Sequence, residues 1–77
     1  MQSDTTRIWQ LTSEAGNCTE CHLNQISDGL HRMTIIHNGA VVASEVYDSD
    51  LLARARALEL NRRLLRRGWS EVRARAR

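Results

Sequence analysis

Through the first two thirds of the chain apolar and polar residues alternate with the period of a β-strand; in the last third the spacing becomes helical. Thr6–Ser13, Thr19–Ser27, Leu30–His37 and Ala40–Tyr47 each read as a strand, the first carrying Ile8, Trp9 and Leu11. Between them stand turn formers: residues 14–17 (EAGN), Asp28-Gly29 and Asn38-Gly39. Asp-Gly and Asn-Gly between strand-like runs are strong hairpin signals, because the favoured two-residue turns need positive φ at their centre. Every connection is too short for a crossover, so the strands are expected to form an antiparallel meander.

A two-residue turn at Asn38-Gly39 predicts His37 opposite Ala40, Ile36 opposite Val41 and Ile35 opposite Val42, with Arg32 facing Glu45 as a charge pair. One face then carries Leu30, Ile36, Val41, Ala43 and Tyr47, and the other Met33, Ile35, Val42 and Val46. Both faces are partly apolar, and one helix covers only one of them.

From Ser49 to Arg67 there is no Gly, Pro or β-branched residue, which predicts a helix. Asp48 suits the N-cap, and Asp50 sits in the first turn, where an acid meets the positive end of the helix dipole. Tyr47 and Leu52 have the spacing of a hydrophobic staple. Gly68 predicts a left-handed C-terminal cap, with Trp69 folding back on Leu64. Leu51, Ala53, Ala57, Leu58, Leu60, Leu64 and Leu65 share one broad arc of the helix, which Arg54 and Asn61 divide into two stripes. One stripe is expected to cover the sheet and the other to meet a second chain.

The expected fold is therefore α+β: an antiparallel β-meander of three to four strands followed by one C-terminal α-helix packed on one sheet face. Residues 1–69 form the single ββββα domain, and residues 70–77 (SEVRARAR) read as a basic flexible tail. At 77 residues such a domain has a lean core, since a chain this short buries only about 60% of its unfolded surface. The apolar surplus points to a homodimer through the open sheet face and the helix, with Leu60, Leu64, Ala53, Ala57, Ile35 and Val42 as the interface.

Charge adds a second possibility. Residues 1–53 hold seven acids against Arg7 and Arg32, a net of −5, while residues 54–77 hold nine arginines against Glu59 and Glu71, a net of +7. Arg56, Arg63 and Arg67 line up along the helix, and Arg62, Arg66, Arg73, Arg75 and Arg77 extend the basic surface. Guanidinium groups at helical spacing suit phosphates, so a nucleic acid is the alternative partner. Against it, one helix cannot make a helix-turn-helix, and no aromatic platform for RNA is present.

Cys18-Thr19-Glu20-Cys21-His22 has the C-x-x-C-H spacing of covalent haem attachment. That chemistry belongs to exported proteins, whereas the polar start MQSDTTRIWQ is no signal peptide. Zinc would need four converging ligands, and Cys18, Cys21 and His22 supply three. His31 and His37 lie six residues apart, about 20 Å along a strand, and cannot both join one ion. In an extended segment the two thiols also point to opposite faces, beyond reach of a disulfide. Two free cysteines, no metal and no cofactor are therefore expected.

No nucleophile elbow, metalloprotease motif or phosphate-cradling glycine loop appears, so no catalytic residues are assigned, the protein is read as non-enzymatic, and no small-molecule substrate is identified. No apolar run approaches the roughly 20 residues that span a bilayer, so no membrane partner is expected, and reduced thiols fit the cytoplasm. The sequence thus reads as a small homodimeric protein-interaction module.

Overall fold

In the computed structural model, which describes residues 5–72, the elements follow the order β1 (Thr5–Thr12), β2 (Cys18–Ser27), β3 (Leu30–His37), β4 (Ala40–Tyr47), α1 (Asp50–Arg66) and β5 (Ser70–Glu71). The strands form one antiparallel sheet in the order β4-β3-β2-β1-β5, with α1 packed on one face, an α+β fold. The fifth strand departs from the expected flexible tail. Leu11 pairs with Glu71 and Thr12 with Ser70, and the Val72 N–H donates to the Gln10 carbonyl at 2.9 Å. Residues 73–77 of that tail, with Arg73, Arg75 and Arg77, lie outside the described residues.

The β3–β4 hairpin turns at Asn38 (φ 51°) and Gly39 (φ 86°), the two consecutive positive angles of a type I′ turn. His37 pairs with Ala40 and Ile36 with Val41, as the turn requires. The register then slips. Ile35 pairs with Ala43, leaving Val42 as the extra residue of a β-bulge, and Met33 rather than Arg32 faces Glu45. One inserted residue reverses the face of everything beyond it. Ala43, Glu45 and Tyr47 consequently share the helix-covered face with Met33 and Ile35, while Val46 pairs with Arg32 on the other. The expected Arg32–Glu45 pair does not form.

The helix begins one residue later than the sequence suggests. Ser49, in an extended conformation, is the N-cap, and its hydroxyl accepts the Leu52 N–H at 3.2 Å. That shift puts Leu52 at the third helical position, exposed, so the staple spacing with Tyr47 is lost. The C-terminus follows expectation: Gly68 adopts φ 98°, its N–H donates to the Leu65 carbonyl, and the Trp69 N–H donates to the Leu64 carbonyl. This Schellman arrangement returns Trp69 to the edge of the core beside Leu64.

The core comprises Trp9, Leu11, Cys21, Leu23 and Met33 from the sheet and Ala53 and Ala57 from the helix. Two alanines on the inward face let α1 lie close to the strands. The Trp9 indole Nε1–H donates to the Ala57 carbonyl at 2.7 Å, fastening β1 to the middle of the helix. None of the helix's six leucines is fully buried: Leu60 and Leu64 are half-buried, and Leu51, Leu52, Leu58 and Leu65 are exposed.

Candidate functional site

The two edges of the sheet are finished differently. The free side of β1 is partly bonded by β5, whereas among the described residues β4 is hydrogen-bonded only to β3. Seven of the eight β4 residues are exposed, with Val41 at 65%, Val42 at 60% and Val46 at 51%. An edge strand of that length, free of Pro and Lys and carrying one charge, leaves a row of backbone donors and acceptors ready for another strand. The bulge at Val42 is the strand's one irregularity.

Beside this edge, between α1 and strands β3 and β4, runs a groove of about 380 Å³. Trp9 and Met33 line its interior, Ile35 and Ala43 contribute from the sheet, and Leu60 and Leu64 from the helix. Trp69 and His37 also line it, their rings edge to face at 6.2 Å. His37 is held through Nδ1 by the Thr19 hydroxyl at 2.8 Å.

Three charged residues border the groove: Glu45, Arg56 and Arg63. Arg56 donates to Glu59 at 2.9 Å and lies 3.8 Å from Glu45, and Arg63 reaches Glu59 at 3.5 Å. The bond to Glu59 holds the Arg56 guanidinium more firmly protonated than usual. Glu45 also accepts the Tyr47 hydroxyl, and that hydrogen bond pushes the phenol above its ordinary range.

The structure therefore sorts the sequence-derived residues into groups. Leu60, Leu64 and Ile35 meet in the groove, and Val42 stands at the neighbouring edge. Ala53 and Ala57 are closed off in the chain's own core, because their stripe is the one that covers the sheet. The stripe left facing outward is Leu51, Leu58 and Leu65. Trp69, Ala43 and Glu45 also belong to the site, beyond the residues to which the sequence points. The Gly68-Trp69 cap signalled the first, whereas a bulge that no local residue announces delivers the other two.

The basic surface divides as well. Arg56 and Arg63 turn to Glu59 and the groove, and Arg54 pairs with Asp50 at 2.9 Å. Arg62, Arg66 and Arg67 make no ion pair among the described residues.

In the C-x-x-C-H segment Cys18, Glu20 and His22 alternate on the face opposite the helix, and Cys21 points into the core. Gln10 donates to the Cys18 sulfur at 3.2 Å, and His22 bonds Glu20 at 2.9 Å. Thiols on opposite faces of one sheet cannot converge on an ion or a macrocycle. Among the described residues no group of three His, Cys, Asp or Glu could hold a metal, and no helix is long and apolar enough to cross a membrane. Burial pushes the Cys21 thiol up to about 11. Compared with protein-family models, curated proteins and solved structures, the chain matches none.

Proposed function

We propose that the chain is a small non-enzymatic interaction module that binds a second copy of itself along β4. The observation carrying this reading is the bare, valine-rich β4 edge on a sheet whose other edge is partly capped by its own β5. An antiparallel pair of β4 strands would join the two sheets into one, supplying main-chain hydrogen bonds and giving Val41 and Val46 cross-strand neighbours from the other subunit. Charge favours a second copy as the added strand. Glu45 lies on β4 and Arg56 and Arg63 lie above it, so a two-fold axis near the strand's centre sets each Glu45 toward the other subunit's guanidiniums. The outward Leu51, Leu58 and Leu65 stripe is not needed for this contact.

Sedimentation velocity at high-micromolar concentration tests the reading. The wild type should sediment as a dimer, and Val42→Lys as a monomer with an unchanged circular dichroism spectrum. A wild type that stays monomeric overturns it.

A second reading draws on Arg62, Arg66 and Arg67, whose charges no acid among the described residues neutralises within ion-pair distance. Three such groups on phosphates would give nucleic-acid binding whose logarithm falls with log salt at a slope of about −3. Fluorescence anisotropy with labelled duplex DNA reads that slope, and absence of binding at low salt rejects the reading.

A further inference from the structure

We infer that the groove between α1 and strands β3 and β4 is a binding site for a small amphiphilic organic acid, a molecule with an apolar tail and one carboxylate. The inference concerns a single chain and does not rest on self-association.

Three observations carry it. The first is size: about 380 Å³ lies within the roughly 300–1,000 Å³ of ordinary small-molecule sites. The second is lining. Met33, Ile35, Leu60 and Leu64 give water few partners, so an apolar tail displaces solvent that is poorly hydrogen-bonded. The third is charge at the border. Two guanidiniums stand against the single carboxylate of Glu45, which already accepts the Tyr47 hydroxyl. Arg56 and Arg63 are seven residues apart, so they lie on nearly one line of the helix, separated by about 10 Å along its axis. Of the two, Arg56 is engaged with Glu59 and flanked by Glu45. Among the described residues Arg63 has a single bond, of 3.5 Å to Glu59, which leaves most of its five donors without a partner there.

This asymmetry assigns the polarity of the ligand. Its carboxylate meets Arg63 at the solvent-facing rim, where a bidentate pair can form, and its tail lies between Leu60 and Ile35 toward Met33. Trp69 lies beside the cavity and acts as the reporter, since its ring lines the groove while Trp9 is already bonded to the helix.

The test uses the full chain with octanoate and octanol as matched probes, followed by nitrogen-15 NMR shifts of the Trp69 indole and by tryptophan fluorescence. Octanoate should bind saturably and about tenfold more tightly than octanol, the factor associated with one added charge-assisted contact. Arg63→Gln, a change at an exposed side chain that leaves the fold intact, should remove that advantage and leave octanol binding unchanged. Ala43→Phe, which places a ring in the groove from the exposed edge strand, should abolish binding of both. Val42→Lys, which disrupts the proposed β4 contact, should bind octanoate like the wild type; if the wild type self-associates but does not bind octanoate, the ligand inference alone falls. No saturable shift at millimolar octanoate overturns the inference. So does equal affinity for octanoate and octanol, because the groove would then be an apolar hollow without head-group recognition.

Discussion

Strands β1 and β4 are equally long, and β4 is the richer in apolar residues, with six of eight against three, yet β1 lies at the heart of the molecule and β4 outside it. Trp9 and Leu11 of β1 are buried, and the strand is bonded to β2, to β5 and through Trp9 to the helix. Nearly all of β4 is exposed, with a partner on one side only among the described residues. Composition alone would bury β4 first; position under the helix decides otherwise. Apolar residues on β1 contribute to stability within the chain, and those on β4 are available to something outside it.

The sharpest way to break the comparison is to truncate one apolar residue on each strand. Leu11→Ala removes a fully buried side chain from a small core and should cost about 2–5 kcal/mol, a large part of the ~4–12 kcal/mol expected for a domain this size. Val42→Ala should change the stability of the isolated chain by less than about 0.5 kcal/mol. Urea denaturation at low protein concentration reads both. Equal losses would mean that β4 is buried in solution by a contact that persists on dilution.

A second prediction uses the two thiols on β2. The folded chain holds the Cys21 proton up to about 11, whereas an unburied thiol releases it near 9.0. Between those values the folded state binds the extra proton, so stability is full below pH 9.0 and falls as pH rises toward 11, by roughly 2–3 kcal/mol. Tyr47, also raised, adds a slope of the same sign, and Cys21→Ala retains that part. The difference between the two alkaline urea titrations therefore isolates the thiol, and parallel curves would reject the assignment. A thiol reagent should label Cys18 promptly in the native chain and Cys21 only on unfolding.

What could be read in advance followed the range of the forces involved. The hairpin ends and the helix cap depend on neighbouring residues, so Asn38-Gly39 fixed the bounds of β3 and β4, and Gly68-Trp69 the helix stop. The bulge at Val42 was not legible, because β4 has no glycine or proline to mark it; tertiary packing selects it by bringing Tyr47 and Ala43 beneath the helix. Nor was the choice between the two helical stripes. Leu51, Leu58 and Leu65 make an all-leucine stripe, yet the stripe of Ala53, Ala57, Leu60 and Leu64 faces inward, where its small residues let the Trp9 indole reach the Ala57 carbonyl. The groove followed from the same two facts, since close packing at the alanines coincides with an opening at Leu60 and Leu64.

The smallest effect bears most directly on the two edges. Val72→Pro removes the N–H that donates to the Gln10 carbonyl and should loosen β5 from β1. One hydrogen bond at an exposed edge is worth about 1 kcal/mol, so the melting temperature should fall by only a few degrees. The change in assembly should be larger than the change in stability. With β5 released, β1 presents backbone groups to solvent as β4 does, and a subunit with two open edges can extend in both directions instead of closing as a pair. Sedimentation should then show species beyond the proposed dimer, returning to smaller ones when Val42→Lys is added. If Val72→Pro remains a dimer of unchanged stability, β5 is not what distinguishes the two edges, and the protection of β1 must come from the helix alone.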